Sequence, residues 1–197
     1  GCDNIKAIAI DSSGLKTYGQ DEWHQQKYGI HSKKDYRKIH IVVDDNQIIH
    51  STELTDSITQ DTSMIKSLSE KMDSNVKHIT ADKAYDNNNA YEQLSKQFPM
   101  ADIVIPPKDN SVYDKNNQFY RNRNILEVGI YGSKGWQERR LYGRRNHSEL
   151  AIQRYKRILG NKLHARDIDR QKMEAVIGCG ILNKMMSLTL AEIRQVA

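Results

Sequence analysis

The sequence predicts an α/β protein: a mixed sheet flanked by helices, with an insertion before the helix that carries its last candidate acid. Three observations carry this. Short apolar or alternating runs stop at turn residues, as strands do. Other runs space their apolar residues by three and four, as helices do. Residues 109–138 show neither period. The chain has 197 residues, 38% hydrophobic and 28% charged. That suits a soluble globular protein, one domain with a real core and a large polar surface.

The elements read in order as follows. Residues 5–10 form a strand in which Ile5, Ala7 and Ala9 alternate with Lys6, Ile8 and Ile10, one face apolar and the other mixed, with Asp11 at its end. Residues 12–35 are polar, carry Gly14, Gly19 and Gly29, and read as a long loop or irregular hairpin that Trp23 anchors. Residues 39–43 and 47–52 are strands joined by Asp44-Asp45-Asn46, which is turn chemistry. Residues 61–72 form a helix with Met64, Ile65, Leu68 and Met72 inward and Asp61 as N-cap. Residues 78–81 are a short strand ending at Asp82. Residues 88–97 form a helix with Tyr91 and Leu94 inward. Residues 101–105 form a strand stopped by Pro106-Pro107.

Residues 109–138 are rich in Asn, Tyr, Arg and Gly and read as an insertion with short strands. Residues 146–160 are a helix. Residues 172–186 are a second helix whose buried stripe is Met173, Val176, Ile177, Gly180, Ile181 and Met185. This order is the layout of a ribonuclease-H-like fold. It gives a single domain with a core of about 1–107 and 139–197 and an insertion of about 108–138. Fold alone does not fix function.

Composition narrows the classes. No apolar run approaches the roughly 20 residues of a membrane helix, and no signal pattern opens the chain. Cys2 and Cys179 make neither a disulfide framework nor a zinc site, so a reducing cytoplasm is the expected setting. The chain starts at Gly1 with a strand almost at once, which reads as a fragment whose upstream segment is absent. Net charge is +5, yet residues 139–166 alone carry nine basic residues against one acid, Glu149. A basic block on one segment suits a polyanion partner.

Tyr142, Arg145, Glu149 and Lys156 stand at Tyr-x2-Arg-x3-Glu-x6-Lys spacing. On a helix Arg145, Glu149, Ile152 and Lys156 share one stripe. A helix burying that stripe would fill it with apolar residues; here two cations flank one carboxylate. An ordinary surface helix would also pair Arg145 with Glu149, for about 0.3–0.5 kcal/mol. Residues 146–149 also fit a capping box with Glu149 at its third position.

The pattern resembles the signature around the catalytic Glu of bacterial insertion-sequence transposases of the DDE superfamily. Asp11-Ser12-Ser13-Gly14-Leu15-Lys16 is similar to their first motif, and Ala81-Asp82-Lys83-Ala84-Tyr85-Asp86 to their second, which often has Gly at the position of Ala81. Tyr36-Arg37-Lys38-Ile39-His40 and the stretch from Leu163-His164-Ala165-Arg166 through Asn183 and Met185 also fit the group. The resemblance implies that Asp11, Asp82 and Glu149 are catalytic and hold two Mg²⁺ ions, with Mn²⁺ as substitute. It implies double-stranded DNA as partner, at element ends and target, and a homodimer or higher assembly on DNA.

Tyr142, Arg145 and Lys156, with Arg144 and Arg157 of the same basic block, are the expected DNA contacts. Two metals roughly 3.5–4 Å apart can activate a nucleophile, stabilise a leaving oxygen and shield phosphate charge. Three carboxylates brought together without metal repel and raise one another's pKa. Two other readings stay open: a ribonuclease-H-like nuclease that cuts without joining, and an inactive DNA-binding remnant. Asp86 reads as the start of the turn before the next helix, Trp23 and Trp136 as packing residues, and Lys33-Lys34 and Arg37-Lys38 as a solvated face.

Overall fold

A computed structural model of the protein describes residues 6–17, 36–70 and 72–196. Five strands form one sheet: β1 Ala7–Lys16, β2 Tyr36–Asp44, β3 Ile49–Thr55, β4 His78–Ala81 and β5 Asp102–Val104. Their order is β3-β2-β1-β4-β5. The first three strands are antiparallel, and β4 and β5 run parallel to β1. A tight turn suffices to join β2 to β3, whereas each parallel strand is reached through a helical crossover.

The helices are α1 Ile65–Ser69, α2 Asn88–Gln97, α3 Phe119–Arg139, α4 Asn146–Ile158 and α5 Ile168–Val196. One core joins Ile8 and Ile10 of the sheet to Ile65, Leu68, Tyr91 and Leu94 of α1 and α2. A second core joins Leu15, Ile39 and Ile41 to Ala151 and Tyr155 of α4 and Cys179 and Leu182 of α5. The sheet is thus covered on both faces. Strand alternation assigns the faces: Ile8 and Ile10 point to α1 and α2, and Leu15 points to α4. Asp11 and Ser13 share the parity of Leu15, so they face α4 as well.

Strand β4, helix α2 and the hairpin at residues 44–46 lie where the sequence puts them, while β1, β2 and β3 extend three to six residues beyond their expected bounds. In that hairpin Asp44 accepts from the backbone N–H of Asn46 and Ile48, at 2.8 and 3.0 Å. Several expectations are corrected. Asp11 lies within β1, not at its end, because residues 12–16 go on pairing with residues 36–40 of β2. The expected loop over 12–35 is therefore strand at its start; residues 18–35, with Trp23, Gly19, Gly29 and Lys33-Lys34, lie outside the described residues, as does Cys2. Asp61 does not cap a helix. It opens a 3₁₀ turn, Asp61–Met64, and accepts from Lys38 Nζ at 3.1 Å. Lys38 and Arg37 are tied down in the fold, Arg37 Nε donating to Gln171 Oε1 at 3.0 Å.

The insertion holds a helix, α3, rather than short strands. Its period is hidden because its buried positions are Asn124 and Trp136. Asn124 Nδ2 donates to Tyr91 Oη and to the carbonyl of Ile103, each at 3.1 Å, and its Oδ1 accepts from Trp136 Nε1 at 3.3 Å. The helix bends at Gly132, whose φ of 70° a residue with a Cβ rarely adopts.

The stripe of α5 is the reverse of the expected one. Met173 is 61% exposed and Ile177 57%, and Val176, Ile181 and Met185 are also exposed. The buried side is Gln171, Ala175, Gly178, Cys179 and Leu182. Small residues let α5 approach α4 closely. A Cβ at Gly178 would stand 2.9 Å from both Tyr155 Cε2 and Leu159 Cδ1, whereas one at Gly180 would meet nothing within 4 Å. Gly178→Val is therefore expected to destabilise the fold by about 1–3 kcal/mol, and Gly180→Ala to stabilise it by up to about 1 kcal/mol. Denaturant midpoints for the two variants check this, and equal shifts would mean that α5 does not seat on Gly178. Asn183 on the same helix closes the sheet edge, accepting from Ile49 N at 2.8 Å and donating to Ile49 O at 2.7 Å.

Candidate active site

Each of the three acids is placed by a different element. Asp11 comes from the middle of β1. Asp82 directly follows β4, and the parallel register Ile10↔Ala81 sets it beside Asp11. Asp82 also starts a 3₁₀ turn, Lys83–Tyr85, by accepting from Ala84 N at 3.3 Å. Glu149 lies in the first turn of α4, which crosses the sheet face to which Asp11 points.

What brings them together is Arg145. Its Nη2 stands 3.2 Å from Asp82 Oδ2 and 3.5 Å from Asp11 Oδ2, and its Nη1 stands 2.5 Å from Glu149 Oε1. Among the described residues, no three His, Cys, Asp or Glu side chains are gathered closely enough to close on one ion as they stand. The acids surround a guanidinium instead. The stripe read from the sequence exists: Asp11, Ser13, Asp82, Arg145, Glu149 and Lys156 line one open groove of about 700 Å³. The capping-box alternative for residues 146–149 does not form, since no side chain caps α4.

Two serines complete the site: Ser13, inside the motif that begins at Asp11, and Ser148, which no motif announces. Ser148 is fully buried; its hydroxyl lies 3.4 Å from Asp11 Oδ2 and donates to the carbonyl of Arg145 at 2.8 Å. Ser13 accepts from Lys156 Nζ at 2.7 Å, which holds that ammonium at the groove wall. The advance signals were, for Ser13, its place in that motif and its parity with Asp11 in β1 and, for Ser148, adjacency to Glu149 in α4.

The electrostatics follow from this crowding. Burial pushes the Asp11 carboxyl above its ordinary value. Arg145 and the Ser12 N–H pull it down, and Asp82 and Glu149 push it up further. Burial likewise raises the Tyr142 hydroxyl.

The other expected DNA contacts are less available than their charge suggests. Tyr142 packs on Trp136, ring centroids 5.3 Å apart, and its hydroxyl donates to Ala81 O at 3.4 Å. Arg144 lies 3.9 Å from Asp45. Arg157 is exposed but does not line the groove. Trp136 is fully buried, as a packing residue should be. Asp86 is more than a turn residue: it is buried and binds Lys108 N, Ser111 and Arg121 of the inserted segment.

A mixed five-stranded sheet with helices on both faces, and acids on its first strand, directly after its fourth strand and on a later helix, defines the ribonuclease-H-like class of α/β proteins. Residues 4–184 match the family model described as Transposase DDE domain. The chain belongs to that family, and its members generally use divalent metal ions to act on DNA.

Proposed function

We propose that this chain cuts DNA at the ends of an insertion sequence and joins the freed ends to target DNA, with two divalent ions held by Asp11, Asp82 and Glu149. The observation that supports this most is the sharing of one guanidinium by three carboxylates from β1, β4 and α4 on the floor of an open groove. The donor set fits Mg²⁺ or Mn²⁺, which are hard and favour carboxylate oxygen. Ions bound there would lower the pKa of an attacking water and shield phosphate charge.

The protein's own part is positioning. Asp11 is fixed by the Ser12 N–H at 2.8 Å and by Ser148, and Asp82 by the turn that it opens. Lys156, steered by Ser13, and Arg145 offer cations to a phosphate lying in the groove, Arg145 with a fork suited to two oxygens. Arg144, Arg157 and Tyr142 are outlying contacts on this reading. The catalytic core is taken as about 1–107 and 139–197, with the insertion at about 108–138 between its strands and α4. A homodimer or higher assembly on two DNA ends and a cytoplasmic setting complete the proposal. Among the described residues, no helix is long and apolar enough to cross a membrane.

The test is incubation with DNA carrying the element's own ends, with and without Mg²⁺ or Mn²⁺. The expected products are 3′-hydroxyl ends and joined molecules, both lost on chelation and in Asp82→Asn. Cut ends that never join would favour the nuclease reading. Salt-sensitive binding without metal-dependent cutting would favour a DNA-binding remnant.

A further inference from the structure

We infer that Arg145 is the internal counter-ion of this site: its guanidinium holds the three carboxylates together and competes with the divalent ions that they would bind. The inference rests on reading Asp11, Asp82 and Glu149 as metal ligands. It adds a positioning role to a residue otherwise taken as a phosphate contact.

The geometry carries it. One guanidinium reaches an oxygen of each acid, through Nη2 to Asp11 and Asp82 and through Nη1 to Glu149. A guanidinium cannot shed its proton in a protein, so the cation is permanent. The other groove-lining cation, Lys156, is drawn to Ser13, one step further along β1. Arg145 also lies one helical turn before Glu149, so both side chains leave the same face of the chain. Its Nε is buried with no hydrogen-bond partner. The side chain is therefore held by its two terminal nitrogens on the acids.

A divalent ion taking the same oxygens would stand close to this positive charge, and like charges repel. Metal entry therefore requires Arg145 to swing away from the acids. The groove that it lines is where a DNA phosphate would receive it. Metal and phosphate would then each favour the other, since both are served by one Arg145 movement and coupling between two ligands is reciprocal.

The test is calorimetric titration of Mn²⁺ alone into DNA-free protein, comparing wild type, Arg145→Gln, Arg145→Lys and Asp82→Asn. Arg145→Gln is expected to bind Mn²⁺ at least about tenfold more tightly than wild type, because the competing charge is gone. Arg145→Lys, which keeps the charge, should stay within about threefold of wild type. Equal or weaker binding by Arg145→Gln would overturn the counter-ion role. Metal binding by wild type that Asp82→Asn loses would leave the ligand reading standing in that case. No Mn²⁺ binding by any of the four would sink the ligand reading and this inference with it. Should Arg145→Gln fail to fold, the Arg145 side-chain Nε–H resonance of the wild type decides. It is expected to shift on saturation with Mg²⁺, and a resonance that stays in place while Mg²⁺ binds overturns the inference.

Discussion

Asp11→Asn is expected to abolish metal-dependent DNA cleavage, by on the order of 10³-fold or more, while leaving the metal-free protein at least as stable as wild type near neutral pH. The two halves have one cause. Asp11 is buried first of all, and it faces Asp82 and Glu149; Arg145 and the Ser12 N–H oppose these effects without overcoming them, so its carboxyl sits above the ordinary 3.8. For an acid whose pKa is raised on folding, the stabilising contribution is fully present below the unfolded value. It is lost as pH rises through the folded one. At neutral pH the fold thus carries an ionised Asp11 at a cost that an amide would not incur. The advantage of Asn over Asp should appear as pH climbs from about 4 and vanish below it, in denaturant titrations without metal. A variant that instead loses ground as pH rises would show that pairing with Arg145 outweighs burial. Such a result would make the acids a structural cluster rather than a site kept under tension for function.

Much of the fold was legible because its strands and α2 obey simple periods. Residues 78–81 and 88–97 match β4 and α2 residue for residue. Three parts were hidden for physical reasons. The end of β1 carries Ser12, Ser13 and Gly14, which look like a loop until their partners at 38–40 are known; strand propensity yields to pairing. Helix α3 buries an asparagine network and a tryptophan, so its inward side carries no apolar stripe to read. Helix α5 has two faces of opposite use, and the greasier one is exposed, because the close contact is made by Ala175, Gly178 and Cys179. Hydrophobicity predicts burial only when the neighbour's shape does not ask for small residues. The candidate acids were legible from spacing and resemblance. Spacing shows the pairing of Arg145 with Glu149, four residues on, but not that Arg145 also reaches Asp82 and Asp11, 63 and 134 positions away, or that Ser148 and Ser13 would steady Asp11 and Lys156 across 137 and 143 positions.

Asp86→Ala is expected to cost about 3–5 kcal/mol of stability, the largest loss foreseen for a residue outside the candidate acids. The side chain of Asp86 is fully buried, and its Oδ1 accepts from Arg121 Nε at 2.8 Å. Its Oδ2 accepts from Lys108 N at 2.9 Å and from the Ser111 hydroxyl at 2.6 Å. Removing the carboxylate strands a half-buried guanidinium and leaves two further donors unpaired. Asp86→Asn should cost less, about 1–3 kcal/mol. Its single oxygen can keep one partner and Ser111 can turn to accept, but its amide meets the N–H of Lys108 donor to donor. Asp86 lies only four residues after Asp82 on the same turn, so this clasp ties the segment at 108–121 to the turn that positions a candidate metal ligand. Loss of the clasp should therefore raise hydrogen exchange at 108–121 and lower cleavage, in the order Asn then Ala. If Asp86→Ala costs less than about 1 kcal/mol, the insertion is held by its other ties, among them Asn124, Trp136, the Arg123–Asp102 pair and the contacts of Asn88 with Asn117 and Gln118. The turn at Asp82 would then be rigid without help from the segment beside it.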